Sequence, residues 1–154
     1  MIRSDIIRRL QSYLQTQYNG SITILAEEDD GDLTPPCAIV RIGSSEDMGM
    51  NQAYVWDMTV IVAVFHDADY TTIETAEQDA AELFNELADF DAVKAYLNSG
   101  DFIASAWLPQ LIEAGREDTK WTHFQTYRLI AAPDTAWFWH QNIVMSANVE
   151  GKQV

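Results

Sequence analysis

Apolar residues return every four positions at the start of the chain, at Ile2, Ile6, Leu10 and Leu14, with Tyr13 beside them. Arg3, Arg8, Arg9 and Gln15 fall elsewhere around the wheel, so the segment predicts a helix with one dry face. Asn19-Gly20 ends it, because both residues tolerate the left-handed conformation that closes a helix. Residues 21–25 alternate around Ile22 and Ile24 as a short strand. The polar run from Glu27 through Glu28, Asp29, Asp30 and Gly31 to Asp32 predicts a loop. Pro35-Pro36 blocks helix at its exit, and residues 37–42 form a second strand ending at Gly43. Residues 44–52 read as a loop.

The longest alternation runs over residues 54–65. Tyr54, Trp56, Met58, Val60, Val62 and Val64 share one face, and Asp57 and Thr59 interrupt the other. That second face turns apolar at Ile61, Ala63 and Phe65, as a covering helix would require. Thr71 and Glu74 have capping-box spacing, and Ile73, Ala76, Ala80, Leu83, Phe84 and Leu87 then draw a core stripe. The far side carries an acidic row, Glu74, Gln78, Glu82 and Glu86. A break at 89–91 leads into a short continuation over 92–97. Residues 102–113 and 120–132 read as a hairpin joined through Gly115-Arg116-Glu117-Asp118, with Pro109 implying a bulge or an edge position. The expected fold is α+β: a mainly antiparallel sheet of about five strands with two helices packed on it. The order is α-β-β-β-α-β-β plus a C-terminal tail. Residues 1–132 make one domain and 133–154 an extension.

Composition narrows the class. Apolar residues make up 47% of 154 positions, enough for a core. The one cysteine, Cys37, excludes an intrachain disulfide and fits a reducing compartment. The first residues have no signal-peptide pattern and no apolar run is long enough to span a bilayer, so no membrane partner is expected. Acidic residues outnumber basic ones 24 to 9, for a formal charge of −15. Such a surface disfavours gripping nucleic acid, and it repels copies of itself unless the interface is locally neutral.

Motifs for chemistry are missing. Gly43-Ser44-Ser45 lacks the second glycine of a nucleophile elbow and reads as a turn. His66-Asp67-Ala68-Asp69 gathers potential metal ligands, but that pattern is more often a turn and helix cap. The acidic loop 27–32 lacks the alternating oxygens and closing Glu of an EF-hand. No phosphate-binding glycine loop occurs, so no cofactor, metal or catalytic residue is assigned. An enzyme built from scattered residues such as Asp57, His66 and Asp67 would need a deep pocket holding a perturbed group. Arg3, Arg8 and Arg9 are the one basic cluster, suited to pairing with carboxylates of this chain or of a neighbouring subunit. Trp56 and Trp121 fit core strand positions. Trp107, Trp137, Phe138 and Trp139 are candidates for a subunit or partner interface, as are Met48 and Met50. The alternative is that the tail covers the domain's own core.

The order of elements and its landmarks resemble the tail terminator, or head-tail joining, proteins of long-tailed bacteriophages. The likeness lies in the N-terminal helix, the run Pro35-Pro36-Cys37-Ala38-Ile39-Val40, the long strand over 54–65, the acidic helix over 72–87 and the hairpin ending Tyr127-Arg128-Leu129-Ile130-Ala131. It covers most of residues 1–132; the tail extends past the family pattern. The resemblance implies a virion protein at the tail-head junction, assembled in the host cytoplasm. It implies a homo-oligomeric ring, typically a hexamer, that caps the tail tube and stops its polymerisation. Its partners would be the tail tube protein and a head-completion or connector protein, with DNA passing through unheld past an acidic lining. From a different class, small acidic secretion chaperones are similar in size, charge and element order, and they form dimers that bind an unfolded client.

Overall fold

The computed structural model describes residues 2–27, 34–47, 56–98 and 102–133. Helix α1 (Ile2–Gln17) buries Ile6, Ile7, Leu10, Tyr13 and Leu14. Each fully buried leucine or isoleucine contributes roughly 1.5–3 kcal/mol by leaving water. That exceeds any propensity term, so the dry stripe is what keeps α1 in place.

The sheet among the described residues comprises β1 (Thr23–Ala26), β2 (Cys37–Asp47), β3 (Trp56–Asp67), β4 (Phe102–Glu117) and β5 (Lys120–Pro133), in spatial order β1-β2-β3-β5-β4. β1 lies parallel to β2, and every other pair is antiparallel. The expectation of a mainly antiparallel sheet is met with one parallel margin. The peptide bond between Pro35 and Pro36, just before β2, is cis.

Helix α2 (Ile73–Glu86) is capped by Thr72, whose backbone is extended and whose side-chain oxygen accepts the Thr75 N–H at 3.3 Å. The cap is therefore Thr72 rather than Thr71. The Thr71 carbonyl instead accepts the Trp121 indole N–H at 2.8 Å, which ties the start of α2 to β5. Helix α3 (Phe90–Leu97) is a separate helix, because the Asp89 carboxylate accepts the Ala92 N–H at 3.1 Å and restarts the spiral. Among the described residues three helices thus stand where two were expected.

Alternation assigns Ala38, Val40 and Ile42, Met58 to Val64 at even numbers, Trp107, Tyr127, Leu129 and Ala131 to one sheet face. All three helices bury side chains in the single core cluster on that face. Cys37, Ile39 and Ala63 are buried on the opposite face, outside that cluster. The helix expected over Ile61, Ala63 and Phe65 is not there among the described residues, since the helices share the other side.

Two strands run further than their sequence suggests. Ser44–Asp47, expected in a loop, pair with Thr59–Trp56 after a register shift between Ile42 and Ser44, so Gly43 sits at a bulge and not at the strand's end. Gly115, Arg116 and Glu117 belong to β4, and the turn falls at Asp118-Thr119, with Asp118 at φ 56°. Pro109 lies in an edge strand and beside a register shift to Leu111, as its chemistry demands.

Candidate assembly surfaces

Trp107, a candidate for partner contact on sequence grounds, is only 1% exposed. Its indole N–H donates to the Leu87 carbonyl at 3.1 Å and its ring stacks on Tyr127 at 4.4 Å between centroids. The side chain ties the end of α2 to the sheet, and this burial removes it from any contact surface. Position 107 faces the helices together with Ala104 because the register shift between Ala104 and Ala106 resets the alternation of β4. Simple strand parity could not have given that. The other contact candidates, Met48, Met50, Trp137, Phe138 and Trp139, lie outside the described residues.

The acidic row of α2 is placed as its periodicity predicts. Glu74, Gln78 and Glu82 are exposed, and Glu86 is half-buried. Burial, with Asp89 and Glu86 adding like-charge repulsion, raises the Tyr13 phenol above its usual range. Burial likewise raises Tyr18, helped by Asp79 and Glu82 and opposed by a backbone hydrogen bond at Ile22. The acidic side of α2 therefore borders the end of α1. A polar depression lined by Asp5, Arg8, Arg9, Ser12 and Tyr96 holds two of the basic-cluster arginines, and Arg8 donates to Gln11 Oε1 at 3.0 Å.

The groups once grouped as possible catalysts are separated by the sheet. Asp57 receives a bidentate pair from Arg128, at 3.0 and 2.7 Å, on the face away from the helices. His66 lies on the helix face, nine residues further along β3, a span of about 30 Å. It is 2% exposed, and its Nε2 sits 3.3 Å from Asp79 Oδ2 on α2. Asp67 accepts the Asp69 N–H at 2.9 Å in a local turn, so the His66–Asp69 run is a turn and its acids do not converge on the imidazole. Among the described residues no group of three His, Cys, Asp or Glu is placed to hold a metal.

What sequence reasoning missed is a groove of about 450 Å³ between α2 and the β4–β5 hairpin. Glu77, Ala81, Phe84 and Asn85 line it from α2, Ala88 and Phe90 from the residues that follow, and Pro109 and Ile112 from β4. His123 and Gln125 line it from β5. Desolvation, reinforced by nearby His66 and opposed by Glu77, lowers His123 below its ordinary value of 6.5. Its ring is therefore neutral near pH 7. The Nδ1 atoms of His66 and His123 and the Tyr127 hydroxyl are buried without hydrogen-bond partners among the described residues. A neutral imidazole beneath alanine and phenylalanine makes a surface suited to apolar side chains. The only sequence signal was Ile112, an apolar residue that the hairpin leaves 70% exposed.

No helix among the described residues is long and apolar enough to cross a membrane. In comparisons with known proteins, the chain matches no protein-family model and no curated sequence.

Proposed function

We propose that this chain works by assembling with other subunits and not by transforming a substrate. In its specific form, it is a virion structural protein whose ring, of six copies, caps the tail tube of a long-tailed phage, halts tube growth and joins tail to head. One observation carries the assembly reading. Asp57 is paired with Arg128 and His66 sits against Asp79, while a groove with a mostly apolar lining stays open beside α2. The resemblance in element order supplies the tail terminator as the particular assembly, with the tube protein and a connector as its neighbours. Exposed Glu74 and Glu82 on α2 suit a wall past which DNA slides, because like charge prevents a duplex from sticking.

Light scattering coupled to size separation, followed by electron microscopy of the same fractions, tests the reading. Six-fold rings, alone or on added tail tubes, support it. A chain that stays monomeric in both settings refutes it, and a stable dimer that retains an unfolded client favours the secretion-chaperone alternative, for which the open groove is also suited.

A further inference from the structure

We propose that the groove between α2 and the β4–β5 hairpin receives the Trp137-Phe138-Trp139 segment of a second copy of this chain. The proposal rests on the assembly reading and names its contact. Ile112 is 70% exposed next to Phe84, Phe90 and Pro109, an apolar surface that water solvates poorly. A groove of about 450 Å³ has room for aromatic rings.

Charge selects the occupant. At −15, two copies repel each other wherever acidic surfaces meet. Residues 135–149 contain no Asp, Glu, Lys or Arg, and within them lies the chain's densest aromatic run. An uncharged aromatic segment meeting a groove whose one charged lining residue is Glu77 is the contact that two such acidic molecules tolerate best.

Reach selects a second copy over the same chain. β5 ends at Pro133, opposite Phe102, whereas the near side of the groove, Pro109, pairs with Tyr127 six residues back along β5. That is a distance of about 20 Å. Ile112, the exposed apolar residue of the groove, pairs with Gln125, eight residues back and about 26 Å away, whereas even Trp139 lies at most about 21 Å of extended chain from Pro133, and because β5 points away from the groove a path back would spend part of that length in a reversal. The Trp137-Phe138-Trp139 segment of the same chain therefore falls short of Ile112. A neighbouring copy has no such restriction, and a head-to-tail contact of segment in groove is the heterologous kind that closes into rings.

The test uses the full-length chain carrying Trp137→Ala, Phe138→Ala and Trp139→Ala, titrated with a fluorescein-labelled peptide of residues 134–154 and followed by anisotropy. Saturable binding is expected, weakened about tenfold by Ile112→Glu in the same background. Ile112 is mostly exposed, so circular dichroism should show that the variant keeps its fold. No saturable binding, or equal binding by the Ile112→Glu chain, overturns the proposal. In a second arm, the full chain with Ile112→Cys and Phe138→Cys is oxidised and run on a non-reducing gel. Bands at multiples of the chain mass support a contact between copies; a bond formed only within one chain overturns that assignment. Rings that persist in the Ile112→Glu chain would remove this contact and leave the ring standing, while peptide binding without rings would do the reverse.

Discussion

Replacing Trp107 with Phe keeps an aromatic ring over Tyr127 but removes the indole N–H that meets the Leu87 carbonyl at 3.1 Å. That carbonyl belongs to the residue capping the end of α2, and Leu87 is fully buried, so water cannot replace the lost donor. An unpaired buried carbonyl costs about 1–3 kcal/mol. The smaller ring also leaves a space that its neighbours fill only in part, adding about 1 kcal/mol. The expected loss is therefore about 2–4 kcal/mol, or a fall in melting temperature of roughly 5–15 °C for a domain of this size. Urea unfolding followed by far-ultraviolet circular dichroism measures it without depending on tryptophan fluorescence. Protein concentration must be held fixed, because assembly would shift the apparent stability. A loss below about 0.5 kcal/mol would refute the account of Trp107 as a tie between α2 and the sheet. An interface anchor would give the opposite pattern, with reduced mass of the assembly and little change in the unfolding of the subunit.

Tyr127→Phe should be neutral or stabilising by up to about 1 kcal/mol, because the hydroxyl it removes is buried without a partner; a clear loss in urea midpoint would disprove this. Gly20→Ala should cost about 1–3 kcal/mol, since the new methyl would overlap the Tyr18 phenol, which is itself nearly buried; an unchanged melting temperature would contradict it. His123 is held below its ordinary 6.5, so the unfolded chain binds its proton more readily than the folded one. Its contribution to stability is fully present above about pH 6.5 and is lost as pH falls towards the folded value. His123→Gln should flatten the slope of urea midpoint against pH in that window, and an unaltered slope would count against the burial argument.

Periodicity revealed the elements whose own residues specify them. α1, the buried face of β3 and the stripe of α2 all follow from the spacing of apolar side chains, and Pro109 announced an edge. Features decided by a distant partner stayed hidden. Ser44–Asp47 carry nothing that reads as strand, yet Thr59–Trp56 supply a ladder for them. The cap falls at Thr72, one residue on, and the Thr71 carbonyl is engaged by Trp121, fifty positions away. The parallel pairing of β1 with β2 depends on the path between them, which no local pattern encodes. Of the candidate contact residues, Trp107 was misplaced because the bulge between Ala104 and Ala106 turned it inward. The groove was illegible for a related reason, since it exists only where the end of one helix and the flank of a projecting hairpin come together.

The outermost strand also limits what neighbouring molecules can do. β4 departs from regular pairing twice, and between 109 and 111 the irregularity begins at a residue with no amide hydrogen to offer. A straight ribbon arriving from solvent would lose registry within a few rungs, so copies crowded side by side cannot fuse their sheets into a fibre. Were the proposed closed ring to form, a border that refuses indefinite extension would serve it.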